Sequence, residues 1–335
     1  MGTILKATNN KLIFKGGFVM KKNLYIVLVL CLLMAFSAGC THIIIKKGDT
    51  DIGFAKNDYS KFEKKKSVTL KFDLDKNIKY DLKISNDCGN VELLPSSSNQ
   101  LEVYGEVYYT DKKDIPENYE FIKSHVDDKL ASIEANREKY NSKDFIVNLK
   151  VLVPEQDFAK VNINTSNDEI VISSVKCDEF YLDTSNGILK MKDSMIANSE
   201  ISTSNGTVDL KDSNFTDIVI NSSNSEIALN NTEFVNLDGN TSNGSIEVND
   251  VSNIAENLIL TNSNGPINID LSNVENDIKL NLLGLDSINC KANINESKYK
   301  LDEASGELSK IEADNDSDHT LIGEIKTSNG EITIK

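Results

Sequence analysis

The sequence of 335 residues lacks tryptophan and has little histidine, arginine or proline. None of the three histidines, His42, His125 and His319, lies near a nucleophile motif. There is no Gly-x-Ser-x-Gly, His-Glu-x-x-His or phosphate-binding loop. The single arginine, Arg137, lies outside the repeated segment and gives that segment no guanidinium for an acidic polysaccharide. These absences weigh against an enzyme, and we assign no catalytic residue.

The cysteines add few constraints. Cys31 and Cys40 belong to the N-terminal segment, which leaves Cys88, Cys177 and Cys290 at unrelated spacings. Neither a disulfide framework nor a zinc pattern can be read from them. Cys177 falls in an apolar column of the repeat, which indicates a small core residue. The calcium-binding pattern Gly-Gly-x-Gly-x-Asp is also absent, so we expect no metal and no cofactor.

Acidic residues dominate the charge. The chain has 52 Asp and Glu against 36 Lys and Arg, a net charge of -16. Cleavage before Cys40 removes five lysines and no acid, which changes the net charge to -21. Such a surface repels nucleic acid and anionic lipid, so we expect no DNA or RNA partner. Divalent cations are a possible counter-charge, but scattered acids are more typical of a solvated face.

The first forty residues have the features of an export signal. Two lysines precede an apolar run over residues 24–36, which is short for about 30 Å of hydrocarbon. The run leads into Ser-Ala-Gly-Cys40, which resembles a bacterial lipobox with the cysteine as the site of lipidation. We therefore predict a signal peptide over residues 1–39, with Met20 as the true start. The alternatives are a transmembrane anchor and an ordinary signal with an incidental cysteine.

This segment predicts the location of the mature protein. It would be exported and anchored by the lipid on Cys40 to the outer face of the bacterial cell membrane. Residues 40–66 then hold the lipidated cysteine and a lysine-rich tether that lifts the folded part off the membrane.

Residues 67–154 alternate between apolar and polar side chains, as strands do, but less regularly than the rest. They are interpreted as a β-rich N-terminal part of the folded domain. Apolar residues spaced three or four apart predict one helix packed on the sheet. These are Ile115, Tyr119, Ile122, Val126, Leu130 and Ile133.

Residues 155–335 carry a repeat marked by Thr-Ser-Asn-Gly. Intact copies occupy residues 184–187, 203–206, 241–244 and 327–330, and imperfect copies occupy residues 165–168, 222–225 and 262–265. The asparagines of the first six copies are separated by 19, 19, 19, 19 and 21 residues. A repeat this short cannot bury a core alone and must stack on its neighbours.

Apolar residues recur at fixed positions within the repeat. With the threonine as position one, position six holds Ile170, Leu189, Val208, Ile227, Ile246 and Ile267. Position eight is apolar too, while most intervening residues are polar. About 19 residues suit one turn of a parallel β-solenoid, in which successive turns lie ~4.8 Å apart. We therefore predict an all-β fold, a parallel β-solenoid of about 19-residue rungs, preceded by a less regular β-rich segment with one helix.

Later copies are degenerate. Gly265, Gly284, Gly306 and Gly330 continue the repeat at steps of 19, 22 and 24 residues. The last rung, residues 330–335, is expected to form an open sheet edge at which another copy or a partner docks.

The corner motif has its own physical chemistry. Glycine permits a positive φ, and Asp168 fits that position because Asp and Asn tolerate it next best. The recurring asparagine predicts an inward ladder of amides, each hydrogen-bonded to the rungs above and below. Its members are Asn167, Asn186, Asn205, Asn224, Asn243, Asn264 and Asn329. The alternative is a flat binding face for glycan or ice, formed by the threonines.

Three segments resemble the putative-adhesin family, a bacterial surface domain of unknown function built from β-strand repeats. They are the Thr-Ser-Asn-Gly-x-Ile-x-Val pattern at residues 241–248, the related corner and strand at 85–93, and Leu-Val-Pro at 152–154. The resemblance covers about residues 68–335. It implies an all-β solenoid in the cell envelope, and some relatives look tied to envelope stress in Gram-positive bacteria. It brings no catalytic or ligand residues.

Three functions compete. The leading one is a non-enzymatic surface lipoprotein whose solenoid displays an acidic, hydrogen-bond-rich face to a glycan, a wall polymer or an envelope protein. The second is an envelope-stress regulator that acts through a protein partner. The third is a β-helix enzyme that cleaves polysaccharides. Adjacent acids such as Asp178 and Glu179 do not favour it, because on a strand they point to opposite faces.

Overall fold

The computed structural model describes residues 4–8, 11–14, 19–21, 43–45, 52–54, 59–250, 256–274, 277–284, 287–290, 309–313 and 320–334. The chain divides into two compact units, Met1–Asp58 and Tyr59–Lys335. Within the described residues, no helix has the length and apolar character needed to cross a membrane. Cys40 and residues 24–36 lie outside the described part, so the signal peptide and the lipid site stay predictions.

The first unit contains short antiparallel pairings. β1 (Ile4–Thr8), β2 (Lys11–Phe14) and β3 (Val19–Lys21) form one sheet. β4 (Ile43–Ile45) and β5 (Ile52–Phe54) form another.

The second unit begins with a 3-10 turn at Tyr59–Lys61 and continues as strands. In chain order these are β6 (Lys64–Asp73), β7 (Asp81–Asn86), β8 (Val91–Pro95), β9 (Gln100–Tyr109), β10 (Ile122–Val126), β11 (Leu130–Ala135), β12 (Phe145–Val153), β13 (Phe158–Thr165), β14 (Glu169–Ser173), β15 (Lys176–Thr184), β16 (Ile188–Lys192), β17 (Met195–Thr203), β18 (Val208–Lys211), β19 (Asn214–Ser222), β20 (Ile227–Asn230), β21 (Glu233–Thr241), β22 (Ile246–Asn249), β23 (Asn257–Asn262), β24 (Ile267–Ile269), β25 (Asp277–Gly284), β26 (Ser287–Cys290), β27 (Ser309–Ala313), β28 (Thr320–Thr327) and β29 (Glu331–Ile334).

These strands form two sheets of twelve. The first sheet has the order β6-β9-β12-β8-β14-β16-β18-β20-β22-β24-β29-β26, and the second has the order β10-β11-β7-β13-β15-β17-β19-β21-β23-β28-β25-β27. Each regular rung therefore gives one strand to each sheet and pairs in parallel with the next rung. The predicted parallel β-solenoid is confirmed.

The apolar columns stack as the repeat predicts. Val208 lies opposite Ile227 across a parallel pair, and Ile227 lies opposite Ile246. All three are essentially inaccessible to solvent, at 1% exposure or less. Because each buried aliphatic side chain contributes about 1.5–3 kcal/mol, a rung gains its stability from the side chains of its neighbours.

The predicted helix is wrong. Residues 122–135 form the antiparallel hairpin of β10 and β11 instead. The Asp127 carboxylate accepts hydrogen bonds from the backbone N–H groups of Lys129 and Leu130, which stabilises the turn. Ile122 and Ile133 are buried, one on each strand. The turn between two strands of period two thus produced a spacing that imitates a helix.

The boundary of the predicted tether also shifts. Residues 59–66, which the sequence placed in the tether, belong to the second unit. The lysine-rich end of that segment is the start of β6, the edge of the first sheet. β6, β9 and β12 pair antiparallel and close this end of the sheet with long strands. Exposed lysines on an edge strand discourage pairing with another chain.

The C-terminal segment does not form the last rung. β28 lies between β23 and β25, and β29 lies between β24 and β26. The segment over residues 320–334 therefore inserts into the stack and pairs in parallel on both sides. The expected open edge at residues 330–335 is wrong, because the backbone of β29 has strands on both flanks.

Candidate functional site

The Thr-Ser-Asn-Gly corners run in one row along the solenoid, and their threonines face inward. Thr184, Thr203 and Thr241 are buried. The Thr184 hydroxyl accepts the backbone N–H of Gly187 at 3.0 Å, and the Thr203 hydroxyl accepts that of Gly206 at 2.9 Å. A threonine binding face is therefore wrong: these hydroxyls fold the corner and do not meet solvent.

The asparagines form a ladder of side-chain amides. Asn186 Nδ2 donates to Asn167 Oδ1 at 2.7 Å, and Asn205 Nδ2 donates to Asn186 Oδ1 at 2.8 Å. The same bond joins Asn224 to Asn205 at 2.8 Å, Asn243 to Asn224 at 2.7 Å, Asn264 to Asn243 at 2.9 Å and Asn329 to Asn264 at 2.8 Å. The last step spans 65 residues because the C-terminal segment inserts beside residues 257–269.

The ladder lies at the outer rim of the corner, which corrects the expected inward direction. Asn167 is buried, Asn186 and Asn205 are half-buried, and Asn224, Asn243, Asn264 and Asn329 are exposed. The Nδ2 groups of the four exposed asparagines also reach backbone carbonyls of the preceding rung, as in the 3.4 Å contact of Asn243 Nδ2 with Ser223 O. The ladder thus connects neighbouring rungs by hydrogen bonds at the surface of the solenoid.

The glycines serve a purpose other than the expected positive φ. Among the described residues, only Gly89 is a glycine with positive φ, at 109°. A Cβ on Gly206 would lie 1.8 Å from the carbonyl oxygen of Gly187. Glycine is required here because consecutive corners approach each other too closely for a side chain. Asp168 does adopt a positive φ, of 82°, as the sequence suggested.

A row of serines accompanies the ladder. We call the paired serines and asparagines at residues 166–167, 185–186, 204–205, 223–224, 242–243, 263–264 and 328–329 the Ser-Asn ridge. The first three serines are half-buried and the last four are exposed. In the described structure, their hydroxyls make no hydrogen bond to protein. The sequence analysis missed this row because it considered a binding face only for the threonines, as the alternative to a structural corner.

The rungs that carry the ridge are strongly acidic. Residues 155–274 contain 19 acidic residues and 5 lysines, a net charge of -14. Partial desolvation raises the pKa of Glu226, and the nearby carboxylates Glu247 and Asp209 raise it further. Within the described residues, no three His, Cys, Asp or Glu side chains are grouped to hold a metal ion.

A second corner in each rung was also missed. Ser174, Asp193, Asp212, Asn231 and Asp250 follow one another at steps of 19 residues and have φ between 47° and 57°. Buried hydroxyls follow, at Ser194, Ser213 and Thr232. Asp and Asn at a fixed interval before Ser or Thr were the available signal, because these residues tolerate the left-handed region.

The acids and the described histidine that the sequence analysis weighed against an enzyme have structural partners. Asp178 and Glu179 both point outward, contrary to expectation, and they pair with different lysines, Lys79 at 2.7 Å and Lys160 at 3.4 Å. His125 Nε2 lies 3.1 Å from the carboxylate of its neighbour Asp127. His42 and His319 lie outside the described residues.

The cysteines divide into two kinds. Burial raises the pKa of the Cys177 thiol to about 12, with a smaller contribution from Asp178, so this thiol stays protonated. Cys88 is buried and disulfide-bonded, which the spacing of the cysteines did not predict.

Residues 79–335 match the family described as Toastrack DUF4097. The chain belongs to this family. The resemblance to a domain family of unknown function with β-strand repeats is thereby confirmed. No curated protein matches the sequence of this Toastrack chain significantly.

The solved structures that match this Toastrack chain share little of its sequence. A putative cell adhesion protein from Clostridium sporogenes is 13% identical, with 81% of this chain and 99% of that chain covered and a TM-score of 0.26. A putative lipid binding protein from Parabacteroides distasonis is 13% identical, with 80% and 97% covered and a TM-score of 0.45. A putative adhesin from Parabacteroides merdae is 12% identical, with 81% and 96% covered and a TM-score of 0.39.

Proposed function

We propose that this Toastrack protein is a non-enzymatic lipoprotein of the bacterial cell surface, anchored through Cys40, whose solenoid binds a hydroxyl-rich polymer of the envelope. The Ser-Asn ridge is the binding surface. The polymer is a glycan or a wall polymer, and the acidic surface beside the ridge discourages polyanions such as nucleic acid.

One observation carries this proposal, the row of serine hydroxyls along the ridge. Each hydroxyl can donate and accept a hydrogen bond, and the row repeats once per rung, at about 4.8 Å. The asparagine ladder holds the serines in place, so binding costs little ordering of the protein. A repeating row of donors and acceptors fits a repeating chain of hydroxyl groups better than it fits one small ligand.

A pull-down tests this function. The tagged full chain is expressed in a bacterial host, extracted in mild detergent and incubated with purified cell-wall and capsular polysaccharides. We expect the chain to retain a polysaccharide, and Ser223, Ser242 and Ser263 changed together to Ala should reduce the amount retained several-fold. Ser124, Ser132 and Ser202, which are half-buried serines outside the ridge, give the matched control variant.

Three outcomes would contradict parts of this proposal. Equal retention of polysaccharide by the ridge variant and its control would mean that the polysaccharide binds elsewhere on the surface. Recovery of a single membrane protein, with no polysaccharide retained, would favour the envelope-stress regulator instead. Loss of polymer mass during incubation would revive the polysaccharide-cleaving enzyme.

The lipid anchor is tested separately. We expect mass spectrometry of the protein from the membrane fraction to find a diacylglycerol on Cys40 and no residue before it. Cys40→Ala should release the protein from the membrane fraction. Retention of residues 1–39 in the membrane-bound protein would favour a transmembrane anchor.

A further inference from the structure

A concave surface lies towards the β6 end of the first sheet. It is a groove of about 490 Å³ on the outer face of β8, β9 and β12. That volume falls within the range of roughly 300–1,000 Å³ that small-molecule sites occupy. Its lining includes Glu92, Tyr104, Glu106, Asn148, Lys150 and Leu152.

The strand register explains why these side chains converge. Lys150 on β12 lies opposite Glu92 on β8 and Tyr104 on β9. Asn148, two residues earlier on β12, lies opposite Glu106. Side chains two residues apart share a face of a strand, so all five project from the outer face of the sheet.

The N-terminal turn of the second unit fixes one side of the groove. Tyr59 stacks on Tyr108 with ring centroids 4.6 Å apart. The Tyr59 hydroxyl donates to Asn148 Oδ1 at 3.0 Å, and the backbone N–H of Asn90 donates to the same oxygen at 3.0 Å. Among the described residues, nothing accepts a hydrogen bond from Asn148 Nδ2, which leaves this amide as a donor for a ligand.

The charges in the groove are balanced. Lys150 Nζ lies 3.8 Å from Glu92, and Lys65 Nζ lies 2.9 Å from Glu106. A charged ligand would compete with these ion pairs. A neutral ligand can hydrogen-bond to the remaining lone pairs of both carboxylates and leave the ion pairs intact.

The aromatic surface of the groove comes from Tyr104. Its hydroxyl donates to Glu102, a buried carboxylate that also accepts the Ser98 hydroxyl at 2.8 Å. The hydroxyl is thus occupied, and the half-buried ring is the part available for contact. An aromatic ring beside carboxylates and an amide suits a molecule with an apolar C–H face and a rim of hydroxyls.

The floor of the groove disfavours a peptide strand. β12 pairs with β8 on one side and β9 on the other. Its backbone N–H and C=O groups are therefore taken, and a peptide could not extend the sheet there. Recognition has to go through side chains.

We propose that this groove binds a neutral pyranose unit of a glycan. The Tyr104 ring packs against the C–H face of the sugar, and Glu92, Glu106 and Asn148 hydrogen-bond to its hydroxyls. This inference rests on the proposed function and extends it. The groove would recognise individual sugar units, while the ridge binds along the length of the polysaccharide.

Titration of the full chain with cellobiose, maltose and lactose tests the groove. We expect at least one disaccharide to bind with millimolar affinity and to shift the amide resonances of residues 92, 104 and 148. Tyr104→Ala should weaken that binding about tenfold or more, as loss of an aromatic contact does. Tyr104→Phe should preserve it within about threefold, because the lost hydroxyl is bonded to Glu102.

Tyr181→Ala is the matched control, because Tyr181 is a half-buried tyrosine on the second sheet. It should bind like the unaltered chain. If Tyr104→Ala does not fold, Glu92→Gln replaces it, with a several-fold loss expected. The proposal is overturned if no disaccharide of the three binds, or if Tyr181→Ala loses as much affinity as the groove variant.

The groove and the ridge can fail independently. Retention of polysaccharide by an unaltered chain that binds none of the three disaccharides would refute the groove and leave the ridge standing. Disaccharide binding by a chain that retains no polysaccharide would refute the ridge and leave the groove.

Discussion

At the scale of single residues, the corner asparagine links three rungs through one side chain. Asn205 donates to Asn186 and accepts from Asn224, each at 2.8 Å. We predict that Asn205→Ala lowers the free energy of unfolding by about 1–2 kcal/mol, because two hydrogen bonds between side-chain amides are lost. Urea denaturation measures this change in stability. Asn214→Ala is the control: Asn214 is exposed and outside the ladder, and its loss should cost less than about 0.5 kcal/mol. Equal effects would mean that the ladder adds no stability.

The corner glycine is tested by adding one carbon atom. In Gly206→Ala the new Cβ would meet the carbonyl of Gly187 at 1.8 Å, and backbone cannot move aside as a side chain can. We expect a loss of about 2–4 kcal/mol in the same denaturation experiment. In Gly239→Ala the Cβ would meet the flexible end of Leu260 at 2.9 Å, so the cost should stay near ~1 kcal/mol. The reverse ranking would contradict the close approach of consecutive corners.

The acidic surface predicts a dependence on pH. The pKa of Glu226 is raised in the folded protein, so the folded state binds this proton more tightly than the unfolded state does. The ionised carboxylate therefore opposes folding above its folded pKa, and the penalty disappears as pH falls through that value towards 4.5. Glu226→Gln should raise the free energy of unfolding at pH 7, by no more than about 0.5 kcal/mol because the site is solvated. Melting curves of both proteins should converge in acid; a lower stability of Glu226→Gln at pH 7 would be inconsistent with this sign.

At the scale of elements, each apolar column couples several rungs. Phe215 lies opposite Ile196 on one side and Phe234 on the other, and all three are buried. We predict that Phe215→Asp places an unpaired charge in this column and exposes amides of β17, β19 and β21 together to hydrogen exchange. Thr216→Asp, at the exposed next position, should leave exchange unchanged. Loss of protection confined to β19 would contradict the shared interior.

Some elements could be predicted from sequence and others could not, for physical reasons. Val208 and Ile227 were predictable because a repeat gives the same environment to the same position in every rung. The hairpin at Ile122 and Ile133 was not, since two strands joined by a short turn reproduce helical spacing. The sequence left a threonine binding face as an alternative, because a hydroxyl serves equally well inside, bonded to a backbone N–H, and outside.

At the scale of the whole molecule, the order of rungs in space differs from their order in sequence. The intact motif at residues 327–330 stacks directly on the corner at 262–265, as the bond from Asn329 to Asn264 shows. An intact motif at residues 327–330, after several degenerate copies, was the only sign in the sequence that this corner stacks out of order. Which strand pairs with which is a non-local property, and a local repeat cannot specify it.

The continuous ridge also belongs to this scale, because it exists only if every rung keeps its register. A slip of one residue would turn the serines inward and the threonines outward. The polar ridge, the acidic surface and the buried columns are thus three consequences of one register, and the proposed binding depends on it.

Disulfide mapping of paired cysteines tests that register most directly. Ser204 and Ser223 occupy the same position of consecutive rungs, about 4.8 Å apart, within the range that a disulfide spans. Ser204 and Ser242 are two rungs apart, about 10 Å, which is beyond it. We predict that Ser204→Cys/Ser223→Cys cross-links within one chain on mild oxidation, as mass spectrometry would show, and that Ser204→Cys/Ser242→Cys does not. A cross-link in the second pair, or none in the first, would contradict the stacked solenoid.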